Sequence, residues 1–443
     1  MRNILAILLI FILCFFENKV YSKKVSSTTL STEIEKKVST RKYPSRWTST
    51  NISYSVEKGL NASVIYKAMK KISERSCLTF VRVKKNSELK ELEEGLRFVN
   101  GTKCSAHLGK VRGKQLNNIS VATNCRTSVP KMLTLVLQSL GVINQINRPD
   151  RNHYISLNLD GIEKGRNESA TKQTTKFNSS QVRTYNIGYD YHSFMHLKSN
   201  AFRNDNITTL NSTIIPQYND MMGQQVDLSF ADLKLLNYHF CNKSSKTKEK
   251  KINCQNGGFI DPKNKSKCIC PNGFGLPYCA KLSKNNDECK NKNPYINLNS
   301  TFTSIVLKEN GSYSCNYLIK APNNYKIKIS IRDVNTEKAK KGQKCSPEMG
   351  LEIKHRNDFA PAGLCLCGNY SHLKFRSMSN KVMVLYRGKG EFNRISLRLT
   401  SVPRTNGTES EAKETTQVIT TTTKKETTIK KKKEVKKKDK KKN

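Results

Sequence analysis

PKMLTLVLQSLGVINQINRPDR, residues 130–151, is the stretch on which the fold of this 443-residue chain turns. Leu133, Val136, Leu137 and Leu140 recur at three- and four-residue spacing, which predicts a helix over 132–140 with one buried face. Pro130 precedes it, where a missing N–H is tolerated. What the surroundings lack is equally informative. No His occurs between His107 and His153, and no Glu between Glu94 and Glu163.

Outward from this helix, 36% of residues are hydrophobic and mean hydropathy is −0.63, enough for cores with polar segments to spare. The length suggests two to four domains. The formal net charge of +44 points to polyanionic partners and says nothing of fold. The chain opens MRNILAILLIFILCFFENKVYS, with an apolar run from Ile4 to Phe16 that is shorter than the ~20 residues of a membrane span. It reads as a signal peptide, residues 1–22. No later segment is apolar enough to span. With Cys14 removed, thirteen Cys remain, which suits an oxidising compartment. Fourteen Asn-x-Ser/Thr sequons occur, some of which should carry glycan. A secreted, extracellular protein is expected, with nucleic acid excluded as a natural partner.

Residues 23–42 are polar and read as a short pro-region or linker. Residues 43–241 carry mixed apolar periodicity and form the first globular domain. Residues 242–285 hold a charged linker and a Gly-rich segment with four Cys, a small stapled module. Residues 286–402 hold five Cys and strand-like runs such as 325–331 and 381–386, which predict an all-β sandwich. Residues 403–443 are Thr- and Lys-rich and should be disordered.

The first domain resembles the astacin family of zinc metalloendopeptidases. Arg46-Trp47 and Asn51-Ile52-Ser53-Tyr54 resemble the family's mature start. Cys77-Leu78-Thr79-Phe80, Cys104, Cys125, Arg148-Pro149-Asp150-Arg151 and Tyr189-Asp190-Tyr191-His192-Ser193-Phe194-Met195-His196 follow in the family's order. The resemblance implies an α+β metzincin fold with Met195 as the Met-turn residue. The family binds zinc through HExxHxxGxxHE, with two His one helical turn apart, a Glu as general base and a third His beyond a Gly turn. Anchored on Gly141 and Arg148, the ligand positions fall on Thr134, Gln138 and Asn144, and the base position on Leu135. Gln145 replaces the following Glu, and Leu197 the family's Tyr after the Met-turn. Neutral Thr, Gln and Asn are poor zinc ligands, and Leu135 cannot accept a proton. No catalytic residue and no resident cofactor are therefore expected. Residues 23–42 hold no Asp, so they also lack the residue with which the family's propeptide caps zinc. His192 and His196, spaced i, i+4, fall in the Met-turn rather than on a helix, so no metal site is expected there.

The stapled module resembles an EGF-like module that has lost one of three disulfides. The last domain resembles a CUB domain, whose weak candidate calcium residues are Asp333 and Glu348. The resemblances imply the pairs Cys77–Cys241, Cys104–Cys125, Cys254–Cys268, Cys270–Cys279, Cys289–Cys315 and Cys345–Cys367. Cys365 is left over, either free and buried or linking two chains.

Residues 421–443 hold twelve Lys against Glu426, Glu434 and Asp439. Such a run either retains the protein on sulfated glycans or anionic surfaces, or is only a solvated tail. The leading expectation is an inactive pseudo-metalloprotease that binds extracellular proteins through its cleft or its CUB domain, as a binding or decoy protein. The alternatives are an active zinc metalloendopeptidase, as in the parent family, and a polyanion-bound matrix or surface component.

Overall fold

The computed structural model describes residues 47–84, 88, 91–160, 162, 170–203, 207–241, 252–291, 293–300 and 303–404. The signal peptide, the pro-region, Arg46, the Lys-rich run and the sequons at Asn167, Asn206, Asn242 and Asn406 lie outside these residues. The described residues belong to one compact unit.

Among the described residues, the first domain begins with five strands and two helices of more than ten residues. These are β1 (Asn51–Val56), α1 (Ala62–Ser73), β2 (Thr79–Arg82), β3 (Leu96–Asn100), β4 (Ser105–Ala106), β5 (Asn117–Val121) and α2 (Val129–Ser139). The sheet order is β2-β1-β3-β5-β4, parallel except for the β4–β5 pair. Ile65, Met69 and Ile72 of α1, Leu96 and Phe98 of β3 and Leu133, Val136 and Leu137 of α2 share one core. Asn61 caps α1, its side chain accepting from the N–H groups of Ser63 and Val64.

Helix α2 starts at Val129, three residues before the expected 132–140. Ser128 caps it, and Pro130 sits within the first turn rather than ahead of it. A proline there lacks only an N–H that would have had no helical partner.

The remainder of the domain has little regular structure among the described residues. Strands β6 (Ile155–Leu157) and β7 (Leu210–Ser212) pair antiparallel. Helix α3 (Phe230–Leu236) is closed by a reciprocal capping box between Ser229 and Asp232. The chain then reaches the Cys77–Cys241 disulfide. The small module that follows has a hairpin, β8 (Phe259–Ile260) with β9 (Cys268–Ile269), and two disulfides, Cys254–Cys268 and Cys270–Cys279.

Ten further strands among the described residues form a two-sheet sandwich. They are β10 (Tyr295–Asn297), β11 (Ser304–Asn310), β12 (Ser314–Lys320), β13 (Tyr325–Asn335), β14 (Gly350–Lys354), β15 (Leu364–Leu366), β16 (Asn369–Tyr370), β17 (Lys374–Arg376), β18 (Lys381–Arg387) and β19 (Arg394–Pro403). One sheet runs β10-β12-β18-β14-β15. The other runs β11-β19-β13-β16, with β17 also pairing β13. Alternation along β13 sends Ile327, Ile329 and Ile331 inward and Lys328 and Arg332 outward. The remaining disulfides are Cys104–Cys125, Cys289–Cys315 and Cys345–Cys367.

The two faces of the sandwich have different fates. The outer face of the β14–β18 sheet is covered. Met383 and Leu385 of β18 pack against Phe274 and Phe359, next to the stapled module. Tyr189, Tyr191, Tyr218, Met221 and Met222 of the first domain share a core with the sandwich residues Leu351, Ile353, Cys365 and Leu366. The outer face of the β13–β19 sheet stays in solvent.

Candidate functional site

Thr134 and Gln138 stand one turn apart on α2, on the same side of the helix, and both are half-buried. The Thr134 hydroxyl donates to the Pro130 carbonyl at 3.1 Å. Leu135, between them, is buried in the core shared by α1 and the first sheet. At the end of α2 the Gln138 carbonyl accepts from the N–H groups of Gly109 and Gly141, each at 2.9 Å. Gly141 has φ +94°, a left-handed conformation that turns the chain toward Asn144. Beneath the helix, Trp47 Nε1 donates to the Ser139 carbonyl at 3.0 Å.

The Asn144–Gln145 segment is tied to the Met195 turn. Gln145 N–H donates to the Met195 carbonyl at 2.9 Å, and the Gln145 side-chain oxygen accepts from Asp190 N–H at 3.3 Å. The structure therefore brings α2, the Gly141 turn and the Met195 turn together. Leu197, also half-buried, leaves that turn.

The Met195 turn rests on Asp232. Its carboxylate accepts from the Ser193 hydroxyl at 2.6 Å, Phe194 N–H at 2.7 Å and Ser229 N–H at 3.0 Å. Burial, with Asp190 nearby, raises its pKa to about 6 despite these donors. His196 is buried beside it. Its Nδ1 lies 2.7 Å from the Leu197 carbonyl, which can only accept, so Nδ1 carries the proton and Nε2 accepts from the Tyr189 hydroxyl at 2.8 Å. Burial lowers the His196 pKa to about 4. Both ring nitrogens of His196 are thus engaged within the protein.

Arg148 forms a two-pronged contact with Asp150, at 2.9 and 2.8 Å, and also donates to the Ile187 carbonyl. Asp333 is paired with Arg394 and Glu348 accepts from Asn272, so these two carboxylates sit in separate contacts. Among the described residues no group of three or more His, Cys, Asp or Glu converges as metal ligands do. Cys365 is free and buried.

Sequence reasoning missed what lies behind the Met195 turn. The Arg356 guanidinium donates to the Tyr189 carbonyl at 2.6 Å and the Ala362 carbonyl at 2.9 Å. It also lies 5.7 Å from the Tyr191 ring centre and 5.6 Å from that of Tyr218. Ala362 N–H donates to Asp190 at 3.3 Å, and Gly188 N–H to Asp358 at 3.0 Å. The sandwich thus buttresses the segment that enters the turn. Only the density of polar residues in 352–358 hinted at it.

This arrangement, a helix joined through a Gly hinge to a buried Met turn, is the one an astacin-like fold implies. Residues 39–241 match the family model for astacin, a peptidase family, and residues 289–400 match that of the CUB domain. The chain carries an astacin-family domain followed by a CUB domain.

It is 28% identical over 373 residues to zinc metalloproteinase nas-34 of Caenorhabditis elegans, covering 84% of this chain and 58% of that protein. It is 28% identical over 344 residues to zinc metalloproteinase nas-36 of Brugia malayi, covering 73% and 54%. Among solved structures, high choriolytic enzyme 1, a hatching-enzyme zinc-protease of Oryzias latipes, matches 44% of this chain and 92% of its own, at 20% identity and a TM-score of 0.37. The chain spans just over half the length of these two curated relatives.

Proposed function

We propose that this protein is a secreted pseudo-metalloprotease, an astacin-family domain that binds extracellular proteins without cutting them. The observation that carries the reading is Leu135. Where the family pattern calls for a general base, a hydrocarbon side chain is buried in the core at 5% exposure. The donors around it do not fit a zinc ion. Thr134 is committed to the Pro130 carbonyl, Gln138 and Asn144 offer neutral amides, and Leu197 offers nothing. No hydrolytic step through a metal follows from such a donor set. Six disulfides favour an oxidising, extracellular setting. No helix among the described residues is long and apolar enough to cross a membrane. The two-disulfide module reads as an EGF-like unit lacking one staple.

The test is zinc content per chain of the purified secreted protein by elemental mass spectrometry, alongside a peptidase screen with and without chelator. A ratio near zero with no chelator-sensitive cleavage is expected. A ratio near one that survives dialysis, with chelator-sensitive cleavage, would return the protein to its relatives' class of zinc metalloproteinases.

A further inference from the structure

We infer that the solvent-facing sheet of the CUB domain is a binding site for a linear sulfated glycan. The register of three strands arranges the cations in rows. Arg398 of β19, Ser330 of β13 and Lys374 of β17 align as cross-strand partners. In the next row Thr400, Lys328 and Arg376 align in the same way. All four of these basic side chains are exposed, and Arg332 extends the pattern along β13. The rows border a concavity of about 740 Å³ with no Asp or Glu in its lining.

Lys328 and Arg376 stand directly opposite one another. An anion lying between the rows meets both of these cations at once. With strands ~4.8 Å apart, one row places cations two strands apart and the other on adjacent strands, so four cations gather across three strands, which suits a chain carrying several anions close together. Neutralising several cations at once releases counterions, so binding is strong at low salt and steeply salt-dependent.

The chemistry narrows the occupant. No Phe, Tyr or Trp lines the groove, and single-stranded nucleic acid sites rely on such rings for stacking. A concave surface is also poorly shaped to lie on a bilayer. The opposite face of the sandwich is occupied by the stapled module and the astacin-family domain, which leaves this face for a partner. The inference rests on secretion and holds whether or not the first domain cleaves peptides.

The experiment uses the full-length secreted protein and a heparin octasaccharide, with binding measured by calorimetry from roughly 100 to 300 mM NaCl, a range over which counterion release lowers affinity steeply. The sheet variant K328Q/K374Q/R376Q/R398Q is compared with a charge-matched control, K58Q/K67Q/K84Q/K103Q, and with Lys→Gln changes throughout 430–442. Thermal melts confirm folding. The sheet variant is expected to lose at least about tenfold in affinity at physiological salt. Its salt slope should fall by about one per lost contact, while the control changes less than about threefold. Equal losses in the sheet variant and the control would mean general attraction only. Loss of all binding in the 430–442 variant, with the sheet variant unchanged, would assign binding to the tail. Binding to anionic vesicles but not to the octasaccharide would make the surface a membrane site. Each of these three results overturns the inference.

Discussion

At the scale of single residues, packing governs the candidate site. Leu135 touches the same core as Phe98 and Met69, and a carboxylate there would be cut off from water. L135E should lower unfolding free energy by more than about 2 kcal/mol, measured by chemical denaturation. T134H/Q138H, at half-buried positions on the open side of the helix, should stay within about 1 kcal/mol of the parent. Equal damage from both changes would mean that the helix tolerates no substitution and that burial is not the reason. Cys365 shows the same principle in a thiol. It lies under Met221, whose sulfur accepts its backbone N–H at 3.3 Å, and burial pushes the thiol pKa well up. Native protein should therefore resist iodoacetamide at mildly alkaline pH, and denatured protein should gain one adduct by intact mass. Rapid labelling of the native protein would show that the face between the two domains opens.

At the scale of elements, strand β14 and the residue after it carry the less legible chemistry. All five positions of β14 are buried, including Glu352 and Lys354, which pair at 3.1 Å. Lys354 also donates to the Phe359 and Pro361 carbonyls at 3.0 and 3.1 Å. His355, next in sequence, packs its ring 5.0 Å from that of Phe375 and places Nε2 3.0 Å from the Tyr218 hydroxyl. Burial, with Arg356 adjacent, lowers its pKa to about 3. The native imidazole thus stays neutral where the unfolded one, with a pKa of about 6.5, takes up a proton. Its stabilisation is complete above about pH 6.5 and is lost progressively as pH falls toward about 3, at up to about 1.4 kcal/mol per pH unit. Melting temperature should fall between about pH 7 and 5, and H355Q should flatten that slope. An unchanged slope would place the acid sensitivity elsewhere, His196 being the next candidate. Helix α2 was readable because its apolar residues follow one period against one core. In β14, Glu352 and Lys354 alternate with Leu351 and Ile353 like a strand with one wet face, and the sequence has no sign that another domain covers that face. The lack of His and Glu along α2 was equally legible, since it holds in any register. The geometry of the site was not, because it depends on contacts between Gln145 and Met195, which lie far apart in the chain.

At the scale of the whole molecule, the astacin-family and CUB domains are not beads on a linker. Tyr189, Tyr191 and Tyr218 from one and Leu351, Leu364 and Cys365 from the other form a continuous core, whereas neighbouring domains in a chain more often meet through polar surfaces that permit relative motion. Arg356 is the polar centre of this junction. It joins the carbonyls of Tyr189 and Ala362 while facing two tyrosine rings, at 6% exposure. Removing it leaves two buried carbonyls without that donor and opens a void between the rings, a cost of about 2–4 kcal/mol concentrated at the junction. Calorimetry of the full-length protein should give one cooperative transition for both domains. R356A should split it, with the more weakly packed domain melting first and the other keeping most of its original melting temperature. A single transition shifted downward would mean that the apolar contacts alone couple the domains. Two transitions in the unaltered protein would mean that the shared core does not couple them. In the coupled case, a ligand held on the outer sheet of the CUB domain would raise the melting temperature of the astacin-family domain as well, because stabilising one half of a single cooperative unit stabilises the whole.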